Sequence, residues 1–254
     1  MNLLNRLSVW ISSLLFLSFF WLVLVQAELF YWLSVLSLVI LFLTIWQLTG
    51  RQIRKSQFWF LSISPTIFLF SAWLFFLFVE GRWLRYFYGL VFTFFLFIFL
   101  QIIYLYLHRR PKYEAYALEN ISNYLNVFAV FLLFSGFFGL QLFLNFNIWS
   151  ILLLGGVALF LLTFELFYVS NLSFTKSRLA ILIIILVSLE VCLAVNYLPT
   201  SIYVDSLIVT LTYYLMSGLA RNWLLNIKEK RVIIRYVIIT LVCLVLILFS
   251  AKWV

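Results

Sequence analysis

Two carboxyls inside long apolar runs, Glu165 and Glu190, are the residues best placed to do chemistry. A charged group at mid-bilayer costs about 2.5–3.5 kcal/mol on insertion scales, so an acid there is a functional candidate by default. Glu190 falls near the middle of its run, with no basic residue at its depth. It can act as helix–helix glue towards Thr210, Thr212 or Tyr213 on the next run, worth about 1 kcal/mol. It can also serve as the coupling acid of a carrier. Glu165 lies four residues before the end of its run, and Arg221 four residues before the end of another. Both ends fall on the same side, so both groups sit about 6 Å inside the boundary at a rise of ~1.5 Å per residue. That placement makes Arg221 the candidate ion-pair partner of Glu165; the alternative is that each snorkels separately to the interface.

Two polar breaks carry further candidates. In Glu80-Gly81-Arg82-Trp83-Leu84-Arg85-Tyr86, Arg82 and Arg85 form a candidate anion site, since guanidinium groups bind phosphate or carboxylate bidentately. The competing role is an interfacial anchor with Glu80 compensating. In His108-Arg109-Arg110-Pro111-Lys112-Tyr113-Glu114, the residues His108, Arg109, Arg110 and Lys112 form a candidate lipid-headgroup site. Pro111 suits a first helical turn, so Lys112 to Asn123 reads as an amphipathic lead-in to the next helix.

Several chemistries find no support. There is no G-x-S-x-G, H-E-x-x-H, C-x-x-C or P-loop pattern, and no lysine lies at mid-run. No metal set, no cofactor and no catalytic residue is expected. Glu114 and Glu119 alone do not make a metal-ligand spacing. Cys192 and Cys243 both sit in apolar runs and are expected as small fillers without a disulfide.

These residues must be positioned by nine apolar runs that account for almost the whole chain. The protein has 254 residues, 67% hydrophobic and 10% charged, with a mean hydropathy of +1.17. Soluble domains are about half apolar and about a quarter charged. The runs are Leu7–Val25, Leu29–Leu48, Phe58–Val79, Tyr86–Leu107, Tyr124–Leu144, Ile148–Val169, Leu179–Leu198, Ile202–Leu225 and Val232–Ser250. Each is long enough for a spanning helix of about 20 residues, and none shows the two-residue alternation of barrel strands. The expected fold is all-α: a polytopic bundle of nine transmembrane helices in a single domain. Pro65 is expected to kink the third. Ser135-Gly136-Phe137-Phe138-Gly139 and Gly155-Gly156 suit close approach of the fifth and sixth.

Charge sets the orientation. With the N-terminus inside, only Arg82, Arg85 and Lys252 of the 17 Lys and Arg fall on the outer side, as retention of basic loops in the cytoplasm requires. Nine helices then give N-in and C-out. Tryptophans cluster near the span ends, where indoles favour the interface. The net charge of +9 is thus a membrane signature; a partner role for nucleic acid is not expected. Anionic lipid headgroups at the inner loops are, since each basic residue near such a surface gains about 1 kcal/mol. Val25-Gln26-Ala27 resembles a signal-peptidase site, but the run before it exceeds the usual ~7–15 apolar residues, so an uncleaved anchor is expected. Helices one to four and five to eight share a pattern of hairpin and basic loop, without matching residues.

The sequence thus places the chain in a cytoplasmic membrane, and its compact loops suggest a prokaryotic one. Three functions are compatible with it. The apolar midplane favours a scaffold or accessory subunit that holds a membrane-protein partner. A small carrier for a lipid-like or weakly polar solute would use Glu190. A lipid-modifying enzyme would use Arg109, Arg110, Glu165 and Arg221 at the inner leaflet.

Overall fold

Lipid offers no hydrogen bonds to the backbone, so every apolar run must satisfy its own as a helix. The computed structural model describes residues 2–54, 56–108, 117–227 and 230–251. Among them are nine helices long and apolar enough to cross a membrane, and no strand. They are α1 (Asn2–Val25), α2 (Phe30–Leu48), α3 (Ser56–Phe76), α4 (Arg82–His108), α5 (Ala117–Leu144), α6 (Ile148–Val169), α7 (Phe174–Val195), α8 (Ile202–Leu224) and α9 (Lys230–Ser250). A 3-10 turn, Ala27–Leu29, leads into α2.

The helices differ from the apolar runs mainly at their polar ends. α5 starts at Ala117, seven residues before its run, and α7 starts at Phe174 and stops at Val195. Polar residues extend a helix past the hydrocarbon without cost to its backbone bonds. The stops have local causes. α5, α6 and α8 are each followed by an asparagine with positive φ: Asn145 (51°), Asn171 (56°) and Asn226 (59°). Asparagine tolerates this left-handed conformation and closes helix C-termini. After α6 and α8 the closure is a bond from Leu172 N to Phe167 O and from Ile227 N to Asn222 O, both 2.9 Å. α6 is capped at its start by Asn147, whose Oδ1 accepts from Trp149 N at 3.0 Å.

The chain divides into two compact units, residues 1–125 and 126–254. The first holds α1–α4 and the start of α5. Its centre is aromatic. Phe20 stacks on Trp73 at 4.3 Å between ring centroids and meets Phe92 at 5.2 Å, which in turn stacks on Phe68 at 4.5 Å. Polar atoms here are tied locally: Trp73 Nε1 donates to Ser37 Oγ at 2.8 Å, and Tyr88 Oη donates to Ala72 O at 3.0 Å. Pro65 is buried within α3.

The second unit holds the rest of α5 and α6–α9. Gly155 on α6 lies against Phe134 of α5, where an added Cβ would come within 3.0 Å of the ring. Gly218 on α8 is tighter still: a Cβ there would meet the Tyr236 ring of α9 at 2.2 Å. α9 packs on α8, and Thr240 is its one buried residue. The remainder of α9 presents aliphatic side chains outward, as a helix in lipid can.

Candidate functional site

The second unit buries two acids. Glu165, four residues before the end of α6, is fully buried. Its Oε2 accepts a 3.1 Å hydrogen bond from Asn126 Nδ2 of α5, which also donates to Leu162 O at 3.2 Å. Tyr213 of α8 lies beside Thr163 and within range of the Glu165 carboxyl. Its buried Oη is turned towards the Thr163 hydroxyl. Arg221 makes no ion pair with Glu165 among the described residues, and its Nε and Nη1 are buried without hydrogen-bond partners. Depth along the helix axis therefore matched the two groups, but axial position does not fix the direction in which a side chain leaves its helix.

Asp205, at 7% exposure, is the second buried acid. It lies in the first turn of α8, where a negative charge complements the helix dipole. Thr200 Oγ1 donates to its Oδ1. A cavity of about 640 Å³ opens beside it, walled by the end of α5, the turn after α7 and the start of α8. Gln141 and Asn196 face it with Asp205. Gln141 Nε2 donates to Asn196 Oδ1 at 2.7 Å, and Gln141 Oε1 is buried without a partner. Between the two acids lie further unpaired buried hydroxyls, Ser135 on α5 and Ser188 on α7. Elsewhere in this unit hydroxyls return to their own helix, as Thr163 does to Leu159 O at 2.6 Å and Thr210 to Ser206 O at 2.7 Å. Asp205, Tyr213 and Arg221 succeed one another along α8 at intervals of about 12 Å, so polar groups recur from one end of the unit to the other. The midplane expected to be wholly aliphatic is not so inside this unit.

A second cavity, about 620 Å³, lies along α7 and α8 beside the start of α9. Its wall is aliphatic apart from Lys176, Asn222 and Trp223 at one end.

The other sequence candidates fall outside this interior. Glu190 stands on an exposed face of α7, some 7–8 Å from the end of that helix at helical rise. It has no bond to Thr210, Thr212 or Tyr213: Thr210 bonds within its own helix, Thr212 donates to Ile208 O at 2.9 Å, and Tyr213 is turned towards Thr163. Arg82 is exposed. Arg85 turns back on its own loop, Nε donating to Val79 O at 2.7 Å, with its guanidinium 5.8 Å from the Phe76 ring centre. This is the anchor geometry. His108 ends α4, stacked on Tyr104 at 5.4 Å with its Nε2 2.8 Å from Asn5 Nδ2. Arg109, Arg110 and Lys112 lie outside the described residues. No cluster of metal-ligating side chains occurs among the described residues. Cys192 and Cys243 are free.

Asp205, Gln141 and Asn126 escaped the sequence reading because each lies within a turn or so of a span end, where polar residues are ordinary. The available signal was their company: Asn196, Thr200 and Asp205 fall within ten residues, a dense polar group for so apolar a chain.

The chain matches no protein-family model, no curated protein and no solved structure. The nine apolar helices among the described residues make it a multi-pass membrane protein; the rest must come from its own geometry.

Proposed function

We propose that the chain is a small membrane carrier that takes a polar solute through the interior of its second unit. The observation that carries this reading is the series of buried, unpaired polar groups from Gln141 through Ser135 and Ser188 to Arg221, bounded by the buried acids Asp205 and Glu165. An unpaired polar group in a low-dielectric interior costs about 1–3 kcal/mol. Water or a polar solute removes that cost, and a carrier has reason to bear it between cycles. Asp205 and Glu165 then take the coupling part expected of Glu190. The chain lies in a cytoplasmic membrane with its N-terminus inside, on the support of the basic-residue asymmetry. The mouth beside Asp205 then faces outward.

Thiol accessibility tests this. In a background with Cys192→Ala and Cys243→Ala, Ser188→Cys reacts with a charged, membrane-impermeant methanethiosulfonate, while Leu186→Cys, on the exposed apolar face of α7, stays silent. Silence at both positions removes the wet interior and the carrier with it. Asn145→Cys, at the cavity mouth, reacts in intact cells; protection there reverses the orientation.

A second reading, an accessory subunit, draws support from Glu190. A carboxyl on the outer face of a spanning helix, with no partner among the described residues, suits a donor supplied by a neighbouring protein. Co-purification in mild detergent that is lost on Glu190→Leu and retained on Leu186→Ala favours it; a chain that purifies alone does not.

A further inference from the structure

The cavity beside Asp205 has one sign of charge. Among the described residues its wall contains Asp205 and no Lys, Arg or His, with Asn145, Asn196 and Ser201 as further polar groups. Thr200 satisfies one oxygen of the Asp205 carboxyl, and no basic side chain compensates it among the described residues. A largely buried carboxylate without a basic partner gains from a cation. There is also a demand for a donor: Gln141 gives one amide N–H to Asn196, and its buried Oε1 accepts nothing. Phe138 and Phe146 complete the wall with aromatic surface, which attracts an ammonium and its alkyl substituent. At about 640 Å³ the space is within the usual ~300–1,000 Å³ of small-molecule sites, far larger than a bare metal ion needs.

We propose that this cavity binds a small primary alkylammonium ion, the –NH3+ group on the Asp205 carboxylate and meeting Gln141 Oε1 through a turn of that side chain, with the alkyl chain against Phe138 and Phe146. The inference rests on the carrier reading for its purpose, naming the solute class, but binding itself needs no transport. A primary ammonium supplies at least two donors to two separate acceptors. A quaternary ammonium has no N–H for Gln141, and an anion meets the carboxylate unfavourably.

The test is calorimetric titration of the full chain in detergent with n-butylammonium, 1-butanol and butyrate. Saturable binding of n-butylammonium at least tenfold tighter than 1-butanol, with none of butyrate, is expected. Asp205→Asn, nearly the same shape without the charge, should weaken n-butylammonium at least tenfold, and Asp205→Glu should recover part of the loss. Gln141→Leu provides a second variant should Asp205→Asn fail to fold, and should weaken n-butylammonium while leaving 1-butanol unchanged. Equal binding of n-butylammonium and 1-butanol, or indifference to both Asp205→Asn and Gln141→Leu, overturns the proposal. Binding with a silent Ser188→Cys keeps the ammonium site and discards the carrier. A reactive Ser188→Cys without binding keeps the carrier and discards the ammonium.

Discussion

The two units solve the same problem, packing four or more apolar helices, with opposite interiors. In the first, rings meet rings: Phe20, Trp73, Phe76, Tyr88 and Phe92 contact one another at 4.3 to 6.2 Å between centroids, and the indole and phenol of that cluster find acceptors close by. In the second, the interior holds two acids, an amide pair and several unpaired hydroxyls. The first unit also leaves some buried polar atoms unpaired, Trp46 Nε1 and Gln101 Oε1 among them. Yet it buries no acid among its described residues, and the cavity between its α1 and α4 is about 210 Å³ and aliphatic or aromatic apart from Ser13 and Thr93. In lipid the hydrophobic effect does not hold helices together, so packing and polar contacts must. The first unit relies on dispersion between rings; the second adds two buried acids and an amide pair.

The largest effect should come from breaking the ring cluster. Phe20→Ala removes a fully buried ring that touches four others. Phe→Ala in soluble cores costs about 3–5 kcal/mol; with lipid as the alternative solvent the transfer part shrinks, leaving about 3 kcal/mol of lost contacts. Reversible unfolding by sodium dodecyl sulfate in mixed micelles, followed by circular dichroism, measures it. The affinity of the folded fraction for n-butylammonium should not change. If Phe20→Ala weakens that binding, the contrast between a packing unit and a binding unit fails.

The next effect tests close packing inside the second unit. Gly218→Ala forces a methyl to within 2.2 Å of the Tyr236 ring, and overpacking of this kind costs about 1–3 kcal/mol. Tyr236→Ala placed in the same chain should recover most of the loss, because the clash then has no second partner. Additive losses in the double variant would mean that α9 docks by other contacts.

The sequence revealed the class, the number of helices and most of their bounds, since hydropathy and helix caps are local properties. What faced inward was not legible. A helix apolar on every side carries no amphipathic signal to say which residues point to the core. Glu165 and Glu190 looked alike in their runs, yet one is wholly buried with an amide at 3.1 Å and the other stands exposed on α7. The cavity beside Asp205 is assembled from α5, the turn after α7 and α8, residues more than fifty positions apart, and such a meeting leaves no trace in any one run. Tyr213 resembled a possible partner for Glu190; the fold turns it towards Thr163 instead.

The smallest effects sharpen the contrast because their signs should differ. Ser37→Ala takes the acceptor from Trp73 Nε1 and leaves a buried donor unpaired. Hydrogen bonds between membrane helices average about 0.6 kcal/mol in double-mutant cycles, so a loss of about that size is expected in the micelle titration. Ser188→Ala removes a buried hydroxyl that bonds to nothing, not even its own helix. Removing an unpaired polar group from an apolar surround is neutral or stabilising, so unfolding should need as much detergent as before, or more. The same chemical change, serine to alanine at a buried position, thus weakens the ring-packed unit and spares the polar one. Should Ser188→Ala cost as much as Ser37→Ala, its hydroxyl has a protein partner after all. The polar series through the second unit would then be interrupted at its midpoint, and the route from Asp205 towards Glu165 would have no middle step.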